Sequence, residues 1–150
     1  IGFYHSERKN QHFGFVMASM DYAESNDVKS EDSAFVHARY NYYFEPDTAI
    51  ELFAQSNKDD FKSLESRNLL GVSYRKEFSN NNVFGVGAFQ EHENYQVNDQ
   101  TLTFDQTRLS VYWAYNYKFS SGATLSNTLY YQPNVEKFAD IRAYNNFNVQ

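Results

Sequence analysis

The chain has 150 residues, enough for one domain, with a formal net charge of −6, no cysteine and 19 % aromatic residues. Without cysteine it has no disulfides, thiolate metal sites or cysteine nucleophiles, and its acidic balance argues against a nucleic-acid partner, because phosphate binding needs a basic surface. The mean hydropathy is negative, and no apolar run approaches the ~18 residues that a membrane helix requires. A composition both aromatic and hydrophilic is typical of β-structure with one apolar face and one wet face.

Apolar and polar residues alternate throughout the chain, which is the period of a half-buried strand. The alternation predicts a partial strand over residues 1–7 and eight full strands over residues 12–24, 31–44, 48–57, 66–78, 82–94, 106–119, 123–132 and 138–149. The predicted fold is all-β, an antiparallel up-and-down meander in which residues 1–150 form a single β-barrel domain. Because the chain starts within a predicted strand and ends without a closing element, we expect an internal segment of a barrel of about ten to twelve strands.

Most of the predicted strands separate an apolar face from a polar one, although residues 12–24 are ambiguous in face and residues 82–94 show a weaker pattern. In residues 106–119, Leu109 and Val111 share the apolar face, whereas Arg108 and Ser110 lie opposite. A membrane barrel turns the apolar face outward, and a soluble lipocalin-like barrel turns it inward toward a lipid or another hydrophobic ligand. The predicted strands of ten or more residues favour the membrane barrel, because strands of globular proteins are usually nearer ~5–6 residues.

The predicted connections alternate between short turns and long polar loops. "EPD", "SNNN" and "SSG" are short, whereas "ESNDVKSED", "NKDDFKSLES" and "QVNDQTLTFD" are long. Alternate turns of a meander lie at the same end, so this asymmetry is typical of a transmembrane barrel with its long loops outside. The aromatic residues before the short turns are then predicted to form a lipid-facing girdle at the membrane interface: Tyr42, Phe44, Phe78, Trp113, Tyr115, Tyr117 and Phe119.

The order of the segments resembles one family, the DUF481 or YdiY-like (salt-induced) outer-membrane β-barrel proteins. The resemblance runs through "AFVHARYNYYF" and the stretch from Phe53 to Gly71 to "YYQPN" and "FADIR". It implies a β-barrel in the outer membrane of a Gram-negative bacterium, with outer-membrane lipid, lipopolysaccharide and other outer-membrane proteins as partners. It implies no reaction, and no catalytic residue carries over.

The predicted inward faces collect charges of both signs. Arg39 and Glu51 are predicted to lie diagonally across one hairpin, within reach of each other's side chains. The whole set forms either a structural plug of paired charges in a wet lumen or the selectivity lining of a narrow channel for ions or small solutes. The set comprises Arg39, Glu51, Arg67, Arg75, Glu91, Glu93, Arg108, Asp140 and Arg142.

Other chemistry has weaker support in the sequence. The four histidines lack metal-ligand spacing, and a hydrolase built from His92 with Glu91, Glu93 or Asp105 would lack a fixed nucleophile. The acidic loops suit Ca²⁺ or Mg²⁺ in charge but lack the fixed positions of an EF-hand. We therefore expect no enzyme, no metal and no cofactor, and a structural or accessory role in the envelope, alone or within a larger outer-membrane complex.

Overall fold

Nine strands form one antiparallel sheet in the computed structural model, which describes residues 2–25, 28–59, 63–78, 81–98, 100–120 and 122–149. Each strand pairs with the next in sequence, so the predicted all-β, up-and-down architecture is confirmed. Within these ranges, no helix is long and apolar enough to cross a membrane. The strands are β1 (Gly2–Lys9), β2 (His12–Ser25), β3 (Val28–Glu45), β4 (Thr48–Asp59), β5 (Leu64–Phe78), β6 (Asn82–Val97), β7 (Gln100–Lys118), β8 (Thr124–Pro133) and β9 (Ile141–Val149).

The strands extend well into two of the predicted long loops. Strand β2 runs to Ser25 and β3 starts at Val28, while β6 runs to Val97 and β7 starts at Gln100. The predicted alternation of short and long connections is therefore wrong at these two hairpins. The polar residues there continue the antiparallel pairing of the two strands. Their facing side chains hydrogen-bond across the pair, and Thr103 Oγ1, for example, donates to Asn94 Oδ1 at 2.8 Å. We call this end of the sheet the long-hairpin end, and the opposite end the short-turn end.

Two connections at the short-turn end differ in how they keep the faces in phase. In the β7–β8 connection, the Phe119 amide donates to the Ala123 carbonyl at 2.8 Å, and Gly122 has a φ of 93°. The three-residue turn "SSG" in the sequence predicts this pairing and a positive φ at its glycine, and the structure confirms both. The turn "EPD" in the sequence likewise predicts that Phe44 pairs with Thr48. This prediction is off by one residue, because Glu45 pairs with Thr48 and a bulge at Phe44 corrects the register.

The sheet curls into a half-barrel with a concave and a convex face. Side chains of strands far apart in the meander meet across the concave side. The Tyr112 hydroxyl on β7 donates to Glu51 on β4 at 3.1 Å, and Arg142 on β9 donates to Glu91 on β6 at 2.6 Å. The concave face therefore holds the interior of the fold, and its contents define the candidate site.

The convex face carries the exposed apolar side chains. From β3 to β8, two rows cross it in register without a charged residue. We call them the middle row (Tyr40, Leu52, Val72, Ala88, Leu109) and the girdle-side row (Tyr42, Ile50, Tyr74, Val86, Val111, Tyr131). Toward the long-hairpin end, the same face turns polar at a row formed by Ser56, Asn68, His92 and Asp105.

Candidate functional site

The concave face places the predicted inward charges together, and several of them are almost fully buried. Arg108, Glu51 and Glu91 each have only 1 % of their surface exposed. They lie inside because the strand period puts every second residue on the concave face. Buried charges are tolerated only when they are paired and hydrogen-bonded, so the partners of each group decide what the site can do.

The larger group of charges, which we call the Glu91 cluster, surrounds one carboxylate with three guanidinium groups. Arg67 and Arg142 each donate to Glu91 at 2.6 Å, and Arg108 Nε lies 3.6 Å from Glu91 Oε1. Arg142 also donates to both oxygens of Glu93, at 3.0 and 3.1 Å. The cluster comprises Arg67, Glu91, Glu93, Arg108, Asp140 and Arg142.

Asp140 closes this cluster from the β8–β9 connection. Its carboxylate accepts from Arg108 at 2.8 Å and lies within 3.4 Å of the Asn134 amide. The hydrogen bond from Arg108 lowers the pKa of Asp140 below its ordinary value of 3.8. Asn134, which no sequence pattern singled out, fixes this connection through bonds from the Glu136 and Lys137 amides to its side-chain oxygen.

The second group, the Glu51 cluster, lies nearer the short-turn end. Glu51 pairs with Arg39 at 3.1 Å, which is the diagonal contact expected from the hairpin register. It also accepts from the Tyr112 hydroxyl at 3.1 Å, and Arg75 lies 3.9 Å away. Arg75 in turn pairs with Glu77 at 3.2 Å. The cluster comprises Arg39, Glu51, Arg75 and Glu77.

Sequence reasoning missed Glu77, Tyr43 and Tyr112 as members of this network. Tyr43 donates to Glu77 at 2.5 Å, and Arg75 donates to the Tyr112 hydroxyl at 3.2 Å. The alternation along the strands does predict that Tyr43 and Tyr112 face inward, because both alternate with the outward aromatic residues of β3 and β7. Their hydrogen bonds are not predicted, because a periodicity analysis counts tyrosine as an apolar residue.

Each of the two clusters is neutral overall. They contain five arginines (39, 67, 75, 108 and 142) and five carboxylates (51, 77, 91, 93 and 140) joined by ion pairs. The two clusters therefore contribute no net charge that would attract an ion of either sign. Among the described residues, no group of three His, Asp or Glu side chains is placed to hold a metal ion.

Glycines make room for the aromatic side chains of the concave face. A Cβ on Gly85 would lie 2.1 Å from Tyr112 Cε1, and one on Gly71 would lie 2.2 Å from the ring of Phe53. In the sequence, the inward glycines of "VFGVGAF" predict room for a neighbouring aromatic ring such as Tyr112, and the structure confirms this at Gly85. A Cβ on Gly87 would lie 2.5 Å from Ser73 Oγ and 2.1 Å from the Val72 carbonyl oxygen, so this position also needs glycine.

A cavity of about 550 Å³ lies among these side chains. Residues of β2 to β5 form one wall, and residues of β7 to β9 form the other. The first wall includes Phe15, Phe35 and Phe53, and the second includes Tyr112, Tyr130 and Tyr144. Arg39, Glu51 and Arg67 join the cavity to both clusters.

The residues predicted as the aromatic girdle lie on the convex face at the short-turn end. Six of the seven are exposed, and Tyr115 is half-buried. Tyr117 and Phe119 pack edge to face at 4.8 Å, and the Trp113 indole donates to Asn82 at 3.2 Å. Lys76, on the same face, reaches back to Asp47 in the β3–β4 turn at 2.7 Å. A lysine placed so carries its charge away from the apolar rows.

The residues of the hydrolase hypothesis lie on opposite faces. Glu91 and Glu93 point into the concave side, whereas His92 lies on the convex face, where its Nδ1 is 2.7 Å from Asp105. Asn94 lies 3.3 Å from His92 Nε2 and donates to Ser66 at 3.1 Å. Both ring nitrogens of His92 therefore have a partner, Asp105 at Nδ1 and the Asn94 amide group at Nε2. Nothing in this arrangement activates Ser66 as a nucleophile.

Comparison with known proteins gives one match. A family model described as "Protein of unknown function, DUF481" matches residues 2–150. The curated proteins and the solved structures gave no match. The family match confirms the resemblance seen in the order of the segments, and its description names no activity.

Proposed function

We propose that this chain, which belongs to the DUF481 family, is the wall of a transmembrane β-barrel in the outer membrane of a Gram-negative bacterium. Its role in this proposal is structural or accessory within the envelope, alone or as a subunit of a larger outer-membrane complex. The observation that carries the proposal is the distribution of polarity between the two faces. Charges fill the concave face, and the apolar rows cover the convex one.

The exposure of the convex rows supports a lipid environment. Leu52, Val72 and Leu70 are 48 %, 47 % and 67 % exposed, although nothing polar separates them. Contiguous apolar patches of this kind mark a contact with lipid or protein. In a soluble lipocalin-like barrel the same residues would point inward, so the polarity of the faces disfavours that alternative.

The height of the apolar surface also fits a bilayer. On β3 the outward positions from Val36, which lies level with the polar row, to Phe44 are eight residues apart, which corresponds to about 26 Å along the strand. At the ~40° tilt of membrane barrels this becomes about 20 Å, comparable to the ~25 Å height of their apolar band. The girdle aromatics border the band on one side, and the polar row containing His92 and Asp105 borders it on the other.

Leu52→Arg tests the proposal, with Gln55→Arg as its control on the same strand. Leu52 lies in the middle row of the convex face, whereas Gln55 lines the cavity. An arginine facing lipid near the midplane costs ~2–4 kcal/mol, but one facing a wet lumen is tolerated. In a soluble protein, an arginine at the half-exposed position 52 would be nearly neutral.

The measurement is electrophoretic mobility of the protein from outer-membrane fractions, with and without boiling in SDS. We expect a heat-dependent shift for the unsubstituted protein and for Gln55→Arg, and a reduced folded fraction for Leu52→Arg. A protein that is soluble without detergent, with Leu52→Arg folding as well as Gln55→Arg, would overturn the proposal in favour of a soluble ligand-binding barrel.

A further inference from the structure

The cavity of the concave face has the size of a binding site for a small molecule. Its volume of about 550 Å³ falls within the ~300–1,000 Å³ of typical small-molecule sites. Strands from both halves of the sheet contribute to it, from Phe15 on β2 to Asn146 on β9. The ion pairs hold these strands in place around it, so the space is pre-formed.

The walls of the cavity present aromatic rings on two sides. On β7 to β9, Tyr130 stacks on Tyr144 with centroids 4.5 Å apart and packs against Tyr112 at 5.6 Å. Across the cavity lie Phe15 and Phe53. The negative faces of such rings attract the C–H groups of a ligand. A ligand with flat, C–H-rich faces therefore suits both walls.

The polar groups of the cavity need a partner with hydroxyl groups. Ser73 is 2 % exposed, and its Oγ has no hydrogen-bond partner among the described residues. Arg39 Nε is likewise unpaired within that part of the chain. Buried groups of this kind cost free energy unless something satisfies them. A ligand hydroxyl bonds equally well to the Ser73 hydroxyl and to a guanidinium N–H.

The charges around the cavity select a neutral ligand. Arg39 is paired with Glu51, and Arg67 is paired with Glu91. An anion would have to displace a buried carboxylate, and a cation would have to displace an arginine, each of which leaves an unpaired charge. A purely apolar ligand would leave Ser73 unsatisfied.

We infer that the cavity between Phe53, Ser73 and Tyr144 binds a small neutral saccharide. A saccharide combines C–H faces for the rings with hydroxyls for Ser73 and Arg39, and it carries no charge. The inference rests on the proposed function only in that the concave face is the interior of a folded barrel.

Isothermal titration calorimetry with maltose and glucose tests the inference, in a detergent without a sugar headgroup. We expect saturable binding to the heat-modifiable, folded protein. Ser73→Ala should weaken it by ~2–12-fold, the effect of losing one hydrogen bond. Ser56→Ala is the matched control, because Ser56 lies exposed on the convex face, and it should bind as the unsubstituted protein does.

A second pair of variants tests the rings and does not depend on the folding of Ser73→Ala. Tyr144 is 46 % exposed, so its replacement should leave the fold intact. Tyr144→Phe should keep most of the affinity, and Tyr144→Ala should lose several-fold. Equal affinity of these two variants would overturn the inference, as would binding of toluene in place of both sugars. Absence of sugar binding by a protein that keeps its heat shift would overturn the inference alone, whereas absence of the shift would overturn the proposed function.

Discussion

At position 85 the backbone has no room for even one methyl group. A Cβ on Gly85 would lie within 2.8 Å of three atoms of the Tyr112 ring, and Tyr112 is held by Glu51 and Arg75. The ring cannot retreat without breaking these hydrogen bonds. Gly85→Ala should therefore destabilise the fold by ~1–3 kcal/mol, the usual cost of overpacking.

Gly14→Ala is the control for this prediction, because its Cβ would meet its nearest atom, the Arg39 carbonyl oxygen, at an ordinary 3.7 Å. It should be neutral or slightly stabilising. Urea unfolding in lipid vesicles, followed by loss of the heat-modifiable species, compares the two midpoints. Equal midpoints for the two variants would contradict the packing described around Tyr112.

Asp140 gives the Glu91 cluster a dependence on pH that can be tested. Arg108 lowers the pKa of this carboxylate below 3.8, so the folded state favours its charged form. The stability that follows is fully present above the unfolded pKa and is lost as the pH falls through the lowered folded pKa. Asp140→Asn should therefore be less stable than the unsubstituted protein at neutral pH, and the difference between the two should shrink as the pH falls below 3.8. A difference that persists unchanged at acid pH would show that this ion pair is not its cause.

Among the elements, the β6–β7 hairpin extends well beyond the apolar rows, from Ala88 and Leu109 to Val97 and Gln100. Beyond the polar row, its outward side chains bond to one another, as Thr101 Oγ1 does in donating to Gln96 Oε1 at 3.0 Å. Since Tyr95 pairs with Leu102, residues 96–101 can be replaced by an Asn-Gly turn that keeps the register. The shortened protein should keep its heat-dependent shift, because nothing removed lies in the band.

The control shortens the β7–β8 hairpin at the other end. Asn116 pairs with Ser126, so an Asn-Gly turn can replace residues 117–125 in the same way. This change removes Tyr117 and Phe119 from the girdle, and we expect a smaller folded fraction in outer-membrane preparations. If both shortened proteins fold equally well, the aromatic residues do not anchor the barrel at an interface.

The centres of the strands could be predicted from the sequence, and their ends could not. Alternation fixes the faces wherever apolar residues recur, as in Leu109 and Val111, and the structure has these residues on the convex side. The stretch from Gln96 to Asp105 lacks a clear alternation and is rich in polar residues, so the sequence predicts a loop there. Pairing with the partner strand, which local composition does not reveal, extends the ladder through most of it.

The contacts of the candidate site likewise fall into those that the sequence predicts and those that it does not. The Arg39–Glu51 contact follows from the register of adjacent strands, which a hairpin turn specifies. The contact of Arg142 with Glu91 joins residues 51 positions apart on strands that are not neighbours. It depends on how strongly the sheet curls, and curvature is set by packing at positions such as Gly85 and Gly71 rather than by any local pattern.

For the whole molecule, the balance of charge decides what can pass through the lumen. A conducting, ion-selective pore is lined by an excess of one sign, whereas the two clusters here pair five arginines with five carboxylates. Side chains paired across the interior also narrow it. We therefore expect low conductance and no selectivity, and the channel alternative requires the opposite.

Removing one matched pair of charges tests this account in planar bilayers. Arg142 and Glu93 pair with each other at 3.0 Å, and each has further partners in the cluster. Arg142→Ala with Glu93→Ala should raise the conductance and leave the reversal potential in a KCl gradient near zero, because the net charge is unchanged. Glu93→Ala alone should destabilise the barrel by ~1.5–3 kcal/mol, the cost of a lost hydrogen bond to a charged group, because Arg67 and Arg142 keep Glu91 as a partner. An unsubstituted protein that already conducts strongly, with a clear preference for cations or anions, would contradict the plugged lumen and favour the channel.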